Sequence, residues 1–287
     1  MLHIFETNPN LVARARATMG LAKERATRVF FRRMIEWRAR STFGLLLRRQ
    51  RAVERKAIAG FPEIWALSEF SRDCVAAVYG RKDAEVIYPM VRFPGAGPSR
   101  SGLRRDGLGV LCHARLETLK NVDTVLRGFS QFARTPNGVR ARLHIVGQGG
   151  ARPRLERLAR RLGLADSVTF HGFLALSELE RVYAACDVFA LLPIDEPFGM
   201  VFPEAAARGL LVIGPDHGGP REILDHGRYG WSVNAFSPEA LAEALMAITR
   251  LPDGEVDRRR DEADRVFRQR FSRETIGRRL EQLLSRA

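Results

Sequence analysis

From residue 107 onward, short apolar runs alternate with segments whose apolar residues recur at helical spacing. The short runs predict strands, and they are Leu108–Cys112, Leu143–Val146, Val168–Phe170, Val188–Leu192, Leu211–Ile213 and Trp231–Val233. The segments between them predict helices, and they are Val122–Phe132, Leu155–Leu162, Leu176–Ala185, Met200–Ala207, Arg221–Leu224 and Pro238–Ile248. Strand followed by helix, repeated, predicts an α/β fold with a parallel sheet covered on both faces. Such a sheet binds ligands beyond the carboxyl ends of its strands.

A segment without apolar periodicity separates this block from the first part of the chain. Residues 93–106 are rich in Pro, Gly, Ser and Arg, which indicates an exposed linker. Upstream of it, one strand, one helix and one strand are predicted at Ile64–Leu67, Arg72–Val78 and Val86–Tyr88. We therefore predict a partial α/β domain over 1–92, the linker over 93–106, a second α/β domain over 107–270 and a C-terminal helix over 271–287.

Composition narrows the class of protein. The chain has 287 residues, of which 45% are hydrophobic, so it can bury a substantial core. Its three cysteines lie far apart without paired spacing, which favours free thiols in a reducing cytoplasm. The longest apolar runs, such as Phe43–Leu47, fall far short of the roughly 20 residues that span a bilayer. The amino terminus carries no secretion signal, so a cytoplasmic location is predicted.

The charge predicts an anionic partner. The formal net charge is +14, and residues 11–56 hold 14 basic residues against three glutamates. Aromatic residues and leucines interleave with those arginines, as in helices that lie on anionic lipid. We therefore predict peripheral contact with the inner face of the cytoplasmic membrane. The alternatives are a solvated face that reflects arginine-rich composition, and nucleic-acid binding. No nucleic-acid-binding motif accompanies the segment, so no nucleic-acid partner is predicted.

The segment Glu196–Glu204, EPFGMVFPE, places two carboxylates on either side of a strand-to-helix turn. Pro203 fits only the first turn of that helix, so Gly199 and Met200 offer backbone N–H groups to a phosphate. Glu204 would then face the crevice, where a ribose presents two hydroxyls. The alternative is that both acids are ordinary residues of a loop and of a first helical turn.

Other anion-binding features follow neighbouring strands. Arg115 and Lys120 come after the strand Leu108–Cys112 and are suited to a diphosphate. The glycines at 147, 149 and 150 follow Leu143–Val146, where missing side chains would let a ligand approach the backbone. They do not complete a dinucleotide fingerprint, because Arg152 occupies the position of its third glycine.

Residues 107–235 resemble the nucleotide-sugar-binding domain of the retaining family 4 glycosyltransferases, which have the GT-B fold. The motifs that carry the resemblance are HARLETLKN, HIVGQGG, VTFHGFL, EPFGMVFPEAAARG, GPDHGGPREIL and YGWSV. The resemblance implies that Glu204 holds the ribose hydroxyls, that Arg115 and Lys120 hold the diphosphate, and that Glu196 holds the transferred sugar. It adds to the donor site the residues Gly147, Gly149, Phe198, Gly199, Met200, Val201 and His171. For His171, a structural role at a strand end is the alternative.

The resemblance implies a GT-B-like chain of two Rossmann-like doubly wound domains, the first of them incomplete. It also implies transfer of a sugar from a nucleotide-diphosphate sugar to a saccharide or lipid-linked acceptor, with retention, in surface polysaccharide or glycolipid biosynthesis. No Asp-x-Asp occurs, which agrees with a metal-independent reaction without a cofactor. Because only about ninety residues precede the linker, the alternative is a truncated or degenerate module that binds the donor without efficient turnover.

Overall fold

The computed structural model describes residues 52–91 and 101–285, and the chain divides into two units, Met1–Val86 and Ile87–Ala287. In the described part of the first unit, residues 52–59 are helical and are followed by β1 (Trp65–Ala66), α1 (Glu69–Tyr79) and β2 (Glu85–Val86). Strands β1 and β2 pair in parallel. The Ser68 hydroxyl accepts from the Ser71 N–H and caps α1, as expected for serine at a helix start.

The second unit contains six parallel strands. They are β3 (Gly109–His113), β4 (Arg142–Val146), β5 (Val168–Gly172), β6 (Val188–Ala190), β7 (Leu211–Pro215) and β8 (Trp231–Val233). Their order across the sheet is β5-β4-β3-β6-β7-β8. This is the order of the doubly wound fold, so the prediction of a parallel α/β sheet is confirmed.

Helices alternate with these strands, as the apolar periodicity predicts. They are α2 (Val122–Ala133), α3 (Arg152–Arg161), α4 (Leu176–Ala184), α5 (Val201–Ala206), α6 (Gly218–Ile223) and α7 (Pro238–Thr249), followed by α8 (Asp253–Phe271) and α9 (Arg273–Leu284). The central strands β3, β6 and β7 are buried on both faces, and Cys112 and Cys186 are fully enclosed. In the described part of the chain, Cys74, Cys112 and Cys186 form no disulfide, and burial raises the pKa of the Cys112 thiol to about 12.

A buried charge network holds the amino ends of the central strands together. The Asp187 carboxylate, 1% exposed, accepts from the N–H groups of Gly109 at 3.0 Å and Arg104 at 3.2 Å. Arg260 of α8 reaches the same carboxylate at 3.7 Å and donates to the Gly102 carbonyl at 2.8 Å. Asp187 therefore joins the start of β3 to the segment before it and to α8.

Among residues 52–91 and 101–285, no helix is long and apolar enough to cross a membrane. The basic segment 11–56, for which we predict membrane contact, lies outside the described residues except for positions 52–56. The predicted linker 93–106 is described only from residue 101.

Candidate functional site

Strands β3 and β6 are neighbours at the centre of the sheet, where the chain reverses the direction in which it adds strands. Lys120 follows β3, and Glu196 follows β6. The Lys120 Nζ donates to Glu196 Oε2 at 2.5 Å, with the two side chains 20% and 14% exposed. The structure thus brings together two of the predicted site residues at the switch point of the sheet, where doubly wound folds bind ligands.

Backbone contacts fix this pairing. The Ile194 N–H donates to the Leu119 carbonyl at 2.9 Å, which holds the loop after β6 against the loop after β3. Asn121 adds a second tie, because its Nδ2 donates to the Leu192 carbonyl at 2.9 Å and to the Ala235 carbonyl at 2.7 Å. The sequence analysis did not single out Asn121. Its position directly before α2, at a left-handed φ of 53° that asparagine tolerates, is the signal that could have found it.

The glycine pair that begins α6, Gly218 and Gly219, allows this helix to pack against the Glu196 segment. The Gly219 N–H donates to the Glu196 carbonyl at 3.0 Å. A Cβ at Gly219 would lie 2.3 Å from the Pro197 carbonyl oxygen, and Gly218 has a φ of +69°. Only glycine allows this approach, so the pair positions the backbone of Glu196.

Arg115 lies apart from the Lys120–Glu196 pair. Its side chain is 74% exposed and pairs with Glu117 at 3.0 Å. A guanidinium held only by an exposed neighbour is able to turn toward a ligand, because an exposed ion pair contributes little.

Gly147 and Gly149 make room for the backbone of the Arg115 loop. A Cβ at Gly147 would lie 1.9 Å from the Ala114 carbonyl oxygen, and one at Gly149 would lie 2.3 Å from that of Leu116. The neighbouring loop therefore fills the space on the Cβ side of both glycines, and their contact with the donor stays a prediction. Gly150 does face open space.

The segment Phe198–Val201 is divided between the core and the surface. Phe198 is 3% exposed and packs on Tyr88 and Phe271, so its side chain belongs to the core. Met200 is 41% exposed. Val201 begins α5, and Pro203 falls in its first turn as predicted. Within the described part of the chain, the N–H groups of Gly199 and Met200 donate to no acceptor.

Glu204 is half-buried on α5. Its carboxylate accepts no hydrogen bond from the residues that the structure describes. Burial raises the pKa of Glu204, and the negative charge of Glu180 adds to this, whereas Arg208 lowers it. The carboxylate is therefore free to accept from a ligand.

His171 lies one residue before the end of β5, beside a second histidine. Its Nε2 lies 2.9 Å from Nδ1 of His144, and the two rings stack at 5.2 Å. Burial lowers the pKa of both imidazoles, and His171 lowers that of His144 further. His171 thus has a structural partner at the edge where donor contact is predicted.

Asp195 is a second residue that the sequence analysis missed. Its Oδ1 is enclosed and has no hydrogen-bond partner among the described residues. Burial raises the pKa of this carboxyl, and the charge of Glu196 raises it further. An acid directly before Glu196 in the chain is the signal that could have indicated it.

The family model described as "Glycosyl transferases group 1" matches residues 99–266 of this chain. This chain belongs to the group 1 glycosyltransferases. The match covers the strands, the loops and the helices that carry Lys120, Glu196 and Glu204. It therefore confirms the family resemblance found in the sequence motifs.

Relatives of this glycosyltransferase chain are found in bacteria. It is 34% identical over 214 residues to a GDP-mannose-dependent alpha-(1-6)-phosphatidylinositol monomannoside mannosyltransferase of Mycobacterium tuberculosis, a match that covers 69% of this chain and 55% of the relative. It is 32% identical over 164 residues to the mannosylfructose-phosphate synthase of Agrobacterium fabrum, covering 54% of this chain and 36% of the relative. The chain thus spans about half, or less, of the length of these relatives.

Solved structures share the fold of this glycosyltransferase chain. The Anabaena protein Alr3699/HepE, crystallised in complex with UDP and glucose, is 25% identical, with a TM-score of 0.68 over 78% of this chain and 62% of that one. Sucrose-phosphate synthase of Thermosynechococcus elongatus is 22% identical, with a TM-score of 0.73 over 88% of this chain and 65% of that one. These neighbours are GT-B enzymes, so the GT-B-like fold predicted from the sequence is confirmed.

Proposed function

We propose that this chain transfers a sugar from a nucleotide-diphosphate sugar to a saccharide or lipid-linked acceptor. The observation that carries the proposal is the Lys120–Glu196 contact at the switch point of a group 1 glycosyltransferase domain. The proposal is supported by the UDP and glucose bound to Alr3699/HepE and by the mannosyltransferase relative, which is named for a phosphatidylinositol-linked acceptor. Surface polysaccharide or glycolipid biosynthesis at the inner face of the cytoplasmic membrane is the setting that we propose.

The proposed chemistry depends on charge that develops as the glycosidic bond breaks. Negative charge grows on the leaving diphosphate while the sugar gains oxocarbenium character, so a fixed cation stabilises the transition state more than the ground state. Lys120 has three N–H donors, so it can bind a phosphate oxygen while it keeps Glu196 in place. Arg115 supplies a second cation from an exposed loop. With these two cations on the diphosphate, we propose transfer without a metal.

Glu196 and Glu204 have different parts in this proposal. Glu204 accepts from the ribose hydroxyls, because its carboxylate is free of donors in the described chain. Glu196 holds the hydroxyls of the transferred sugar beside Lys120. The acceptor oxygen attacks the anomeric carbon from the face that the phosphate leaves, and its proton passes to the departing phosphate oxygen, so a nucleoside diphosphate is released and the configuration is retained.

A second candidate function is a module that binds the donor without turnover. Both candidates predict donor binding, and they differ in whether the sugar leaves the nucleotide.

Calorimetry and mass spectrometry test the two candidates on the full chain. We expect UDP or GDP to bind, and we expect Glu204→Ala and Arg115→Ala each to weaken that binding by about 1.5–3 kcal/mol, the value of a charge-assisted hydrogen bond. Glu196→Ala should spare nucleotide affinity and reduce transfer from UDP-glucose or GDP-mannose to a panel of acceptors. Arg258→Met, which replaces an exposed arginine of α8, is the control and should change neither nucleotide affinity nor sugar transfer.

Unchanged diphosphate affinity in both Glu204→Ala and Arg115→Ala would refute the proposed site. Donor binding without transfer or hydrolysis across the panel would favour the binding module.

A further inference from the structure

Arg208, the second residue after α5, holds an unusual position for a cation. Its side chain is only 14% exposed. Nη1 donates to the backbone carbonyl of Glu204 at 2.9 Å, one turn back along the chain. The guanidinium is therefore fixed directly against the residue whose carboxylate is proposed to hold the ribose.

Two residues of α4 clamp this guanidinium. Arg208 Nη2 donates to Glu180 Oε1 at 2.6 Å, and Nε donates to Glu180 Oε2 at 3.0 Å, which is a bidentate pair. The guanidinium carbon lies 4.7 Å above the Tyr183 ring, within range of a cation–π contact. The Tyr183 hydroxyl is in turn 3.1 Å from Nδ1 of His113, at the end of β3. Arg208 is thus held on three sides.

The charge balance around Glu204 depends on this clamp. A half-buried carboxylate favours its protonated form, and a protonated carboxyl loses part of its capacity to accept from two hydroxyls. Burial raises the pKa of Glu204, the positive charge of Arg208 lowers it, and the negative charge of Glu180 raises it. Of the other groups in the cluster, burial raises the pKa of Tyr183 and lowers that of His113, so both are neutral at pH 7. Through the bidentate contact, the negative charge of Glu180 is paired with the positive charge of Arg208.

We infer that Arg208 is a positioning residue for Glu204, which it keeps ionised and in place for the ribose hydroxyls of the donor. If Arg208 served only to join α4 to the end of α5, its ion pair with Glu180 would be sufficient. The added bond to the Glu204 carbonyl fixes the guanidinium at the site itself. The inference rests on the proposed function, because it assumes that Glu204 binds the ribose.

The test compares variants of the full chain by calorimetry with UDP and GDP between pH 5 and pH 8. Arg208→Met removes the charge and keeps most of the volume. Without the cation, the pKa of Glu204 rises further, so the carboxylate is protonated over more of this range. We expect nucleotide affinity to fall at pH 6 and below, by up to about tenfold for a rise of one unit in the pKa, and the loss to shrink toward pH 8.

Three further arms separate this role from a merely structural one. Arg208→Lys keeps the charge and should restore most of the affinity near pH 6. Glu180→Gln removes the like charge and should move the affinity profile to lower pH. A 2′,3′-dideoxy nucleoside diphosphate lacks the hydroxyls, so the wild type and Arg208→Met should bind it equally.

A loss in Arg208→Met that is the same at every pH, or that is equal for the dideoxy nucleotide, would overturn the inference while the proposed function stands. If the wild type bound neither UDP nor GDP, the proposed function would fail and the inference with it. Should Arg208→Met not fold, the profile of Glu180→Gln decides: an unchanged affinity profile in that variant would overturn the inference.

Discussion

At the scale of single residues, the Lys120–Glu196 pair determines the electrostatics of the crevice. Both side chains are largely enclosed, and each is the other's ion-pair partner. Removal of one partner leaves an unpaired charge in a site that is less solvated than the surface. Removal of both partners leaves no unpaired charge. The two residues should therefore be coupled in folding as well as in binding.

A double-mutant cycle tests this coupling. We expect Lys120→Met alone to lower the free energy of unfolding by about 1–3 kcal/mol, because it leaves the Glu196 carboxylate without its ion-pair partner. Lys120→Met combined with Glu196→Gln should cost less than the sum of the two single changes. Urea denaturation at pH 7 measures all four proteins. Additive effects would show that the contact does not contribute to stability.

At the scale of elements, the amino and carboxyl edges of the sheet serve different purposes. The carboxyl edge carries Lys120, Glu196 and the glycine turns, and the amino edge carries the Asp187–Arg260 network. Asp187 is 1% exposed and Arg260 is 5% exposed, so this network is a buried ion pair that orders the strands. Its loss should affect the fold before it affects the ligand site.

Asp187→Asn tests the role of the amino edge. The amide retains the size of the carboxylate but loses its charge, so the Arg260 guanidinium loses its buried counterion and keeps the partly exposed Asp257 carboxylate at 3.7 Å. We expect the free energy of unfolding to fall by about 1–3 kcal/mol, the cost of weakening a buried charged contact. Thermal and urea denaturation measure the change, and Arg258→Met, which alters an exposed pair on the same helix, is the control. Nucleotide affinity of the folded fraction should remain at the wild-type value, and a loss of affinity without a loss of stability would contradict this account.

At the scale of the whole molecule, charge is the dominant feature. The net charge of +14 is concentrated in residues 11–56, which carry a surplus of 11 basic residues. Arginines that neutralise anionic lipid act at short range, since the Debye length is about 8 Å at physiological ionic strength.

Vesicle co-sedimentation tests membrane contact by the whole chain. We expect binding to vesicles that contain anionic lipid. That binding should fall as the salt concentration is raised from about 0.05 to about 0.5 M, because the Debye length shortens. Vesicles of neutral lipid are the control. Equal binding to neutral and anionic vesicles would exclude the electrostatic explanation.

Apolar periodicity and turn residues act locally, so they predicted the order of strands and helices along the second unit. Lys120, Glu196 and Glu204 could also be indicated as site residues, since polar side chains after successive parallel strands meet at one edge. Which of these residues touch depends on how the strands are arranged across the sheet. Lys120 and Glu196 are 76 positions apart and pair because β6 adds beside β3, an order that local pattern does not encode. The same reason explains why the glycines at 147 and 149 proved to face a neighbouring loop, and why Arg208 was missed: their roles depend on a partner from a distant segment.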